Sequence, residues 1–256
     1  MIDIQSVFLK GKAFIPFLTA GDPNLEMTER LIVAMEQAGA DLIEIGIPFS
    51  DPVAEGEAIQ GADMRALAAG TTTDKIFEMV SRVRERVNIP LLFMTYINPV
   101  FTYGTERFVK KCAECGISGL IVPDLPFEEK EEVLPCCDEY GVTLISMIAP
   151  TSHERIAKIA AQSKGFVYCV SSLGVTGVRS KITTDIGEMV ALVKQSTDTP
   201  CAIGFGISTP QQAAQMAQSA DGVIVGSAIV KLIAQYGAQS VQPVSDYVKS
   251  MKQEIL

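Results

Sequence analysis

Short apolar runs alternate with longer amphipathic stretches along this chain from end to end. Eight of the short runs are rich in β-branched residues and bounded by turn formers, which reads as buried parallel strands. They are Phe14 to Thr19, Leu42 to Ile47, Leu91 to Tyr96, Gly119 to Val122, Thr143 to Ile148, Phe166 to Val170, Cys201 to Gly204 and Gly222 to Val225. Helical patterns fill the gaps, as in Leu31 to Ala38, which Gly39 closes as a C-terminal cap. Eight strand–helix units in 256 residues close most naturally into a (β/α)8 barrel, expected as one domain over 1–256. An open doubly wound sheet is the alternative. The usual dinucleotide fingerprint is missing after the first strand, however, where Thr19-Ala20-Gly21-Asp22-Pro23 stands instead. An extra helix is expected at the N-terminus, with additional helices after strand 2 (Gly56 to Ala69) and after strand 8. The connection from Ser171 to about Thr184 holds Gly174 and Gly177 and has the composition of a lid.

One polar position breaks the pattern. In Leu42-Ile43-Glu44-Ile45-Gly46-Ile47 a carboxylate stands inside an apolar strand, and a period of two puts Leu42, Glu44 and Gly46 on one face, Ile43 and Ile45 on the other. Burial disfavours the charged form and raises the pKa, which suits Glu44 to give and take protons near neutral pH. A structural glutamate paired with an interior Lys or Arg is the other reading.

Composition narrows the chemistry. A chain that is 48% hydrophobic and 20% charged can bury a large core without disulfides or metal. A net charge of −9, with no basic cluster beyond Arg82 to Arg86, argues against nucleic acid as a partner. The N-terminal residues lack the pattern of a signal peptide and no apolar stretch is long enough to span a membrane, so a soluble cytoplasmic protein is expected. The six cysteines are scattered among apolar residues as reduced hydrophobes, and Cys112-x-x-Cys115 lacks a second ligand pair. The sole histidine, His153, is expected in an exposed first helical turn, so neither a Ser-His-Asp triad nor a zinc site is expected.

Glycines after strands 7 and 8, in Gly204-Phe205-Gly206-Ile207-Ser208 and Gly226-Ser227-Ala228-Ile229-Val230, would let backbone N–H groups approach an anion. This is a phosphate site or a pair of tight turns. No predicted strand end carries a lysine for imine chemistry; Lys164 precedes its strand at the opposite face. Isomerisation, epimerisation and carbon–carbon cleavage by proton transfer all remain open.

Four motifs now stand in order: Phe17-Leu18-Thr19-Ala20-Gly21-Asp22-Pro23, the segment from Glu44 to Gly56, Tyr168 to Gly177, and Gly204 to Ser208. Together they resemble the tryptophan synthase α subunit family, a TIM-barrel family, over essentially the whole chain. The resemblance implies a lyase of tryptophan biosynthesis that cleaves indole-3-glycerol phosphate to indole and glyceraldehyde 3-phosphate. It implies no cofactor in this chain, and a β subunit that carries pyridoxal phosphate and takes up indole within a cytoplasmic α2β2 heterotetramer. Glu44 matches the family's catalytic glutamate. Glu55 fills the slot of a second acid that binds the indole N–H, where the family pattern leads one to expect aspartate. Thr176 matches a lid threonine and Gly177 a phosphate contact, alongside Gly206, Gly226 and Ser227. Phe17, Tyr96, Tyr168 and Phe205 would line the indole pocket, although Tyr96 equally suits barrel packing. Asp124 would be a site residue or a helix cap. Phe49, Asp51 and Pro52 resemble the surface for the β subunit. The extra methylene of Glu55 motivates a second reading, a weakly catalytic barrel that chiefly binds and activates its β partner. A third is an isomerase or epimerase of another sugar phosphate.

Overall fold

The alternation of side chains along each strand divides the interior into two layers. In a computed structural model that describes residues 2–170, 186–204 and 206–256, nine parallel strand segments form one sheet. They are Ala13–Thr19 (β1), Ile43–Gly46 (β2), Leu91–Met94 (β3), Gly119–Ile121 (β4), Thr143–Leu144 (β5), Ser146–Ile148 (β6), Val167–Val170 (β7), Cys201–Gly204 (β8) and Gly222–Val225 (β9). Their order is β5-β4-β3-β2-β1-β9-β8-β7-β6. The two ends of that order are consecutive in the chain. β5 pairs with β4 and β6 with β7, and Ile145 between them still donates its N–H to the Leu120 carbonyl at 2.9 Å. The expected fifth strand is thus one strand that changes partner at Ile145, and the ring of a (β/α)8 TIM barrel closes through it, as staggered strands require.

Inward positions form one cluster: Ala13 and Ile15 of β1, Leu92, Ile121, Phe166, Tyr168, Ala202 and Ile224. Outward positions such as Phe14, Leu18, Ile43, Ile45, Phe93 and Cys169 belong to the larger cluster beneath the helices. The expected N-terminal helix is a 3-10 helix, Gln5–Lys10. Ile4 and Val7 complete the inner cluster, and the Phe8 ring lies 5.8 Å from that of Phe166, so this segment plugs the barrel floor.

The extra helix after β2 runs Glu57–Ala68 from Gly56 as N-cap, and those after β9 run Ser227–Tyr236 and Val241–Glu254. Two features go beyond the expectation. After β3 the chain makes two helices, Ile97–Tyr103 and Thr105–Cys115, hinged at Gly104 with φ +92°, and after β4 it makes a 3-10 helix, Phe127–Glu132. His153 opens the helix His153–Ala160 with Ser152 as N-cap, and its side chain is exposed. Cys112 and Cys115 are buried on the helix Thr105–Cys115, and among the described residues no group of three or more potential ligands could hold a metal ion.

Candidate active site

The C-terminal ends of the strands surround a cleft whose empty space, open solvent included, is about 590 Å³. Glu44 lies on its wall, on the inward face of β2, with no exposed surface. Neither carboxyl oxygen has a hydrogen-bond partner among the described residues, so the interior Lys or Arg of the structural reading is not found there. Burial, and then the charge of Glu55, pushes the Glu44 carboxyl well above the usual carboxylate range. A buried carboxyl whose protonated form is favoured, and whose oxygens have no hydrogen-bond partner among the described residues, is suited to proton transfer.

Glycine at the neighbouring strand ends makes the cavity possible. A Cβ on Gly46 would approach Phe17 Cζ to 2.6 Å, and one on Gly204 would approach Tyr168 Oη to 2.5 Å. Both rings lie across the barrel mouth in space that any other residue would fill, and both line the cavity. Tyr168 is raised well above its ordinary pKa, first by burial and then by Glu44 and Glu55, so its hydroxyl keeps its proton.

Glu55 is buried and reaches the same cavity from the loop after β2. Two contacts hold the backbone beside it. The Ala54 N–H donates to Tyr96 Oη at 3.0 Å, and Gln60 Nε2 donates to the Glu55 carbonyl at 2.7 Å. Tyr96 itself stands beyond the end of β3, and it lines a smaller adjoining cavity with Glu55 and Asp63. The Phe49 ring packs on it with centroids 5.5 Å apart. Asp51 is exposed and Pro52 half-buried on the same loop.

On the far rim, Gly206, Gly226 and Ser227 line the cavity. Ser227 begins the helix Ser227–Tyr236, and no side chain caps that start. An uncapped helix start leaves amide N–H groups and the positive end of the helix dipole for an anion. Thr176, Gly177 and Phe205 lie outside the described residues. Asp124 does not line the cavity: its Oδ1 accepts the N–H of Ile97 at 2.9 Å and so caps the helix Ile97–Tyr103.

Sequence reasoning missed much of the apolar wall, namely Ile59, Met94, Pro123, Met147, Ile207 and Ile224. Strand parity held the signal for three of them, Ile224 being an inward position of β9. Met94 shares the inward face with Leu92, and Met147 packs on the inner cluster as Ile145 does. One apolar compartment with a buried acid, a second carboxylate at its edge and an anion-ready rim suits a flat ring bearing an anionic tail and a reaction by proton transfer.

Residues 6–255 match the family model described as tryptophan synthase alpha chain. The chain is 50% identical over 256 residues to the tryptophan synthase alpha chain of Lactiplantibacillus plantarum, covering 100% of this chain and 97% of the relative. It is 46% identical over 252 residues to that of Lacticaseibacillus casei, covering 98% and 95%. Among solved structures, Mycobacterium tuberculosis tryptophan synthase superposes with a TM-score of 0.90 at 33% identity, covering 98% of this chain and 97% of that one. Tryptophan synthase subunit alpha of Legionella pneumophila superposes with a TM-score of 0.88 at 36% identity, covering 100% and 98%.

Proposed function

The chain belongs to the tryptophan synthase alpha chain family, and from that premise we propose how its residues divide the work. It is a lyase subunit that cleaves indole-3-glycerol phosphate to indole and D-glyceraldehyde 3-phosphate, and its family implies a β-subunit partner. The reaction is a retro-aldol cleavage. Indole C3 takes a proton, the hydroxyl beside the breaking bond loses one, and the carbon–carbon bond breaks with its electron pair returning to the ring.

Glu44 carries both proton transfers. Protonated in the resting state, it delivers its proton to C3 and as carboxylate accepts the hydroxyl proton, so it ends the cycle as it began. The observation that carries this reading is its fully buried carboxyl, unpartnered among the described residues, on the wall of the cavity. Glu55 accepts the ring N–H and stabilises the cationic intermediate formed when C3 is protonated. Its presence in the same cavity favours a working catalytic site over a merely activating barrel. Phe17 and Tyr168 sandwich the ring, with Tyr96 supporting the loop from below. Gly206, Gly226 and Ser227 receive the phosphate, with Gly177 as a further phosphate contact, and Thr176 and Phe205 contribute to substrate binding as the family pattern implies.

The loop residues Phe49, Asp51 and Pro52 meet the β subunit in an α2β2 assembly. Pyridoxal phosphate belongs to that subunit, and this chain works without a cofactor of its own. No described helix is long and apolar enough to cross a membrane, and we place the enzyme in the cytoplasm. The deciding experiment measures indole release by this chain, alone and with a cognate β subunit. Glu44→Gln is expected to lower kcat at least ~10²-fold, and Glu55→Ala to abolish release. Near-normal turnover in either variant would remove that residue from the mechanism.

A further inference from the structure

The helix Glu57–Ala68 buries Ile59, Ala62, Asp63 and Ala66. That spacing is the apolar stripe of an amphipathic helix, and a carboxylate occupies one of its four positions. Asp63 is 6% exposed and faces the Phe49 amide and the Thr19 hydroxyl. With Glu55 it supplies the carboxyls of the small cavity beneath the loop, a cavity that shares Phe17, Ile59, Met94 and Pro123 with the main one. Tyr96 and Gln60 hold the backbone on either side of Glu55. Both contacts act on the backbone, and the extra methylene gives the Glu55 carboxylate more reach than an aspartate has.

We propose that Asp63 is a positioning residue for Glu55, holding the Glu55 carboxylate where the ring N–H of the substrate arrives. The inference rests on the role given to Glu55 above. Two carboxylates cannot share so small a buried space with both ionised. Burial first, and Glu55 second, push Asp63 up to about 8, with the Phe49 amide, the Thr19 hydroxyl and Asp22 as smaller influences. At neutral pH Asp63 therefore keeps its proton and offers Glu55 an O–H donor. Other titratable groups stand around this pair, among them the Tyr168 hydroxyl on the main cavity. Arg65 is held by Asp22 through two 2.8 Å hydrogen bonds, Tyr96 is itself raised by burial and by Glu55, and Glu44 lies on the wall of the main cavity. Strand β1 brings no charged residue to the helix, and the helix Ser227–Tyr236 that packs on it brings only the exposed Lys231.

The test follows indole formation in the complex with the β subunit, from about pH 6 to about pH 9.5, so that both protonation states are sampled. Wild type is expected to lose kcat as pH rises through about 8, where Asp63 ionises and repels Glu55. Asp63→Ala is expected to lower kcat about tenfold to a hundredfold at neutral pH, with KM little changed. Asp63→Asn, which keeps an N–H donor and cannot titrate, is expected to recover most of that loss and to move the alkaline limb away from about 8, leaving only the loss that ionisation of Glu44 sets. A wild-type profile without that limb, or the same limb in Asp63→Asn, would overturn the proposal. If Asp63→Ala does not fold, the limb in Asp63→Asn still decides. Glu55→Ala separates the two ideas. Near-normal turnover there sinks the role of Glu55 itself, whereas an inactive Glu55→Ala beside an Asp63→Asn with an unchanged limb sinks only the role of Asp63.

Discussion

Glu44 costs the fold what it gives to the chemistry. Its folded-state pKa lies above the ordinary 4.5, so over the range above that value the native state binds more protons than the unfolded chain. Stability then falls as pH rises from about 4.5 towards the raised folded value, and it is unaffected by this group at lower pH. Asp63 acts in the same sense between 3.8 and about 8. Glu44→Gln removes the first of these penalties. It is therefore expected to unfold at a higher temperature than wild type at pH 8, with the advantage shrinking at pH 4.5, as thermal melts at the two values would register. An advantage that grew in acid would contradict the account. Glu44 was legible in the sequence because one carboxylate in an apolar strand is conspicuous. Asp63 was not, because a single acid on a helix is ordinary until the buried face of that helix is known.

Helices and strand ends decide where these side chains stand. Asp22 is 1% exposed and binds Arg65 at 2.8 Å through both of its oxygens, which ties the loop after β1 to the helix that carries Asp63. Arg65 is 40% exposed, so Arg65→Ala should cost more than the ~1 kcal/mol of a surface pair but less than the ~3–5 kcal/mol of a wholly buried one. Denaturant unfolding would measure it, and a wild-type midpoint would show that the pair does not hold the helix. Gly204→Ala is a sharper test of the barrel mouth. Its Cβ would meet Tyr168 at Oη, Cε1 and Cζ within 2.8 Å, so the buried ring must shift from its place on the cavity wall. We expect a loss of about 1–3 kcal/mol together with a fall in kcat/KM as Tyr168 is displaced. Unchanged stability and turnover would mean that the ring has room. The strands were legible because buried parallel strands are continuous apolar runs. The short helix Ile97–Tyr103 and the 3-10 helix Phe127–Glu132 were not, because Gly104 after the one and Pro126 before the other are loop formers, and tertiary contacts set the short helices beside them. Tyr96 follows Leu92 and Met94 in parity, yet β3 ends at Met94 and the alternation stops there.

At the scale of the whole molecule, closure was legible as a count of eight strand–helix units, whereas the change of partner at Ile145 arises from the stagger of the ring and leaves no mark in a strand's own residues. The same geometry gathers the loops after the strands onto one face, and the loop after β2 has two sides. Its inner side carries Glu55, and its outer side exposes Asp51 and Val53, the latter 73% exposed. Between the two runs a short chain of contacts: the Phe49 ring on Tyr96, and Tyr96 Oη on the Ala54 N–H, one residue from Glu55. A partner that covers the outer side would therefore act on Glu55 by fixing the backbone next to it, without touching the substrate. Val53→Glu places a charge on that outer side and leaves the barrel core alone. Its isolated chain is expected to melt at the wild-type temperature, while the rise in indole release on adding the β subunit falls at least about tenfold, the effect of ~1.4 kcal/mol lost from the coupled state. Full activation of Val53→Glu by the β subunit would show that the partner docks elsewhere and that the loop carries no signal from it.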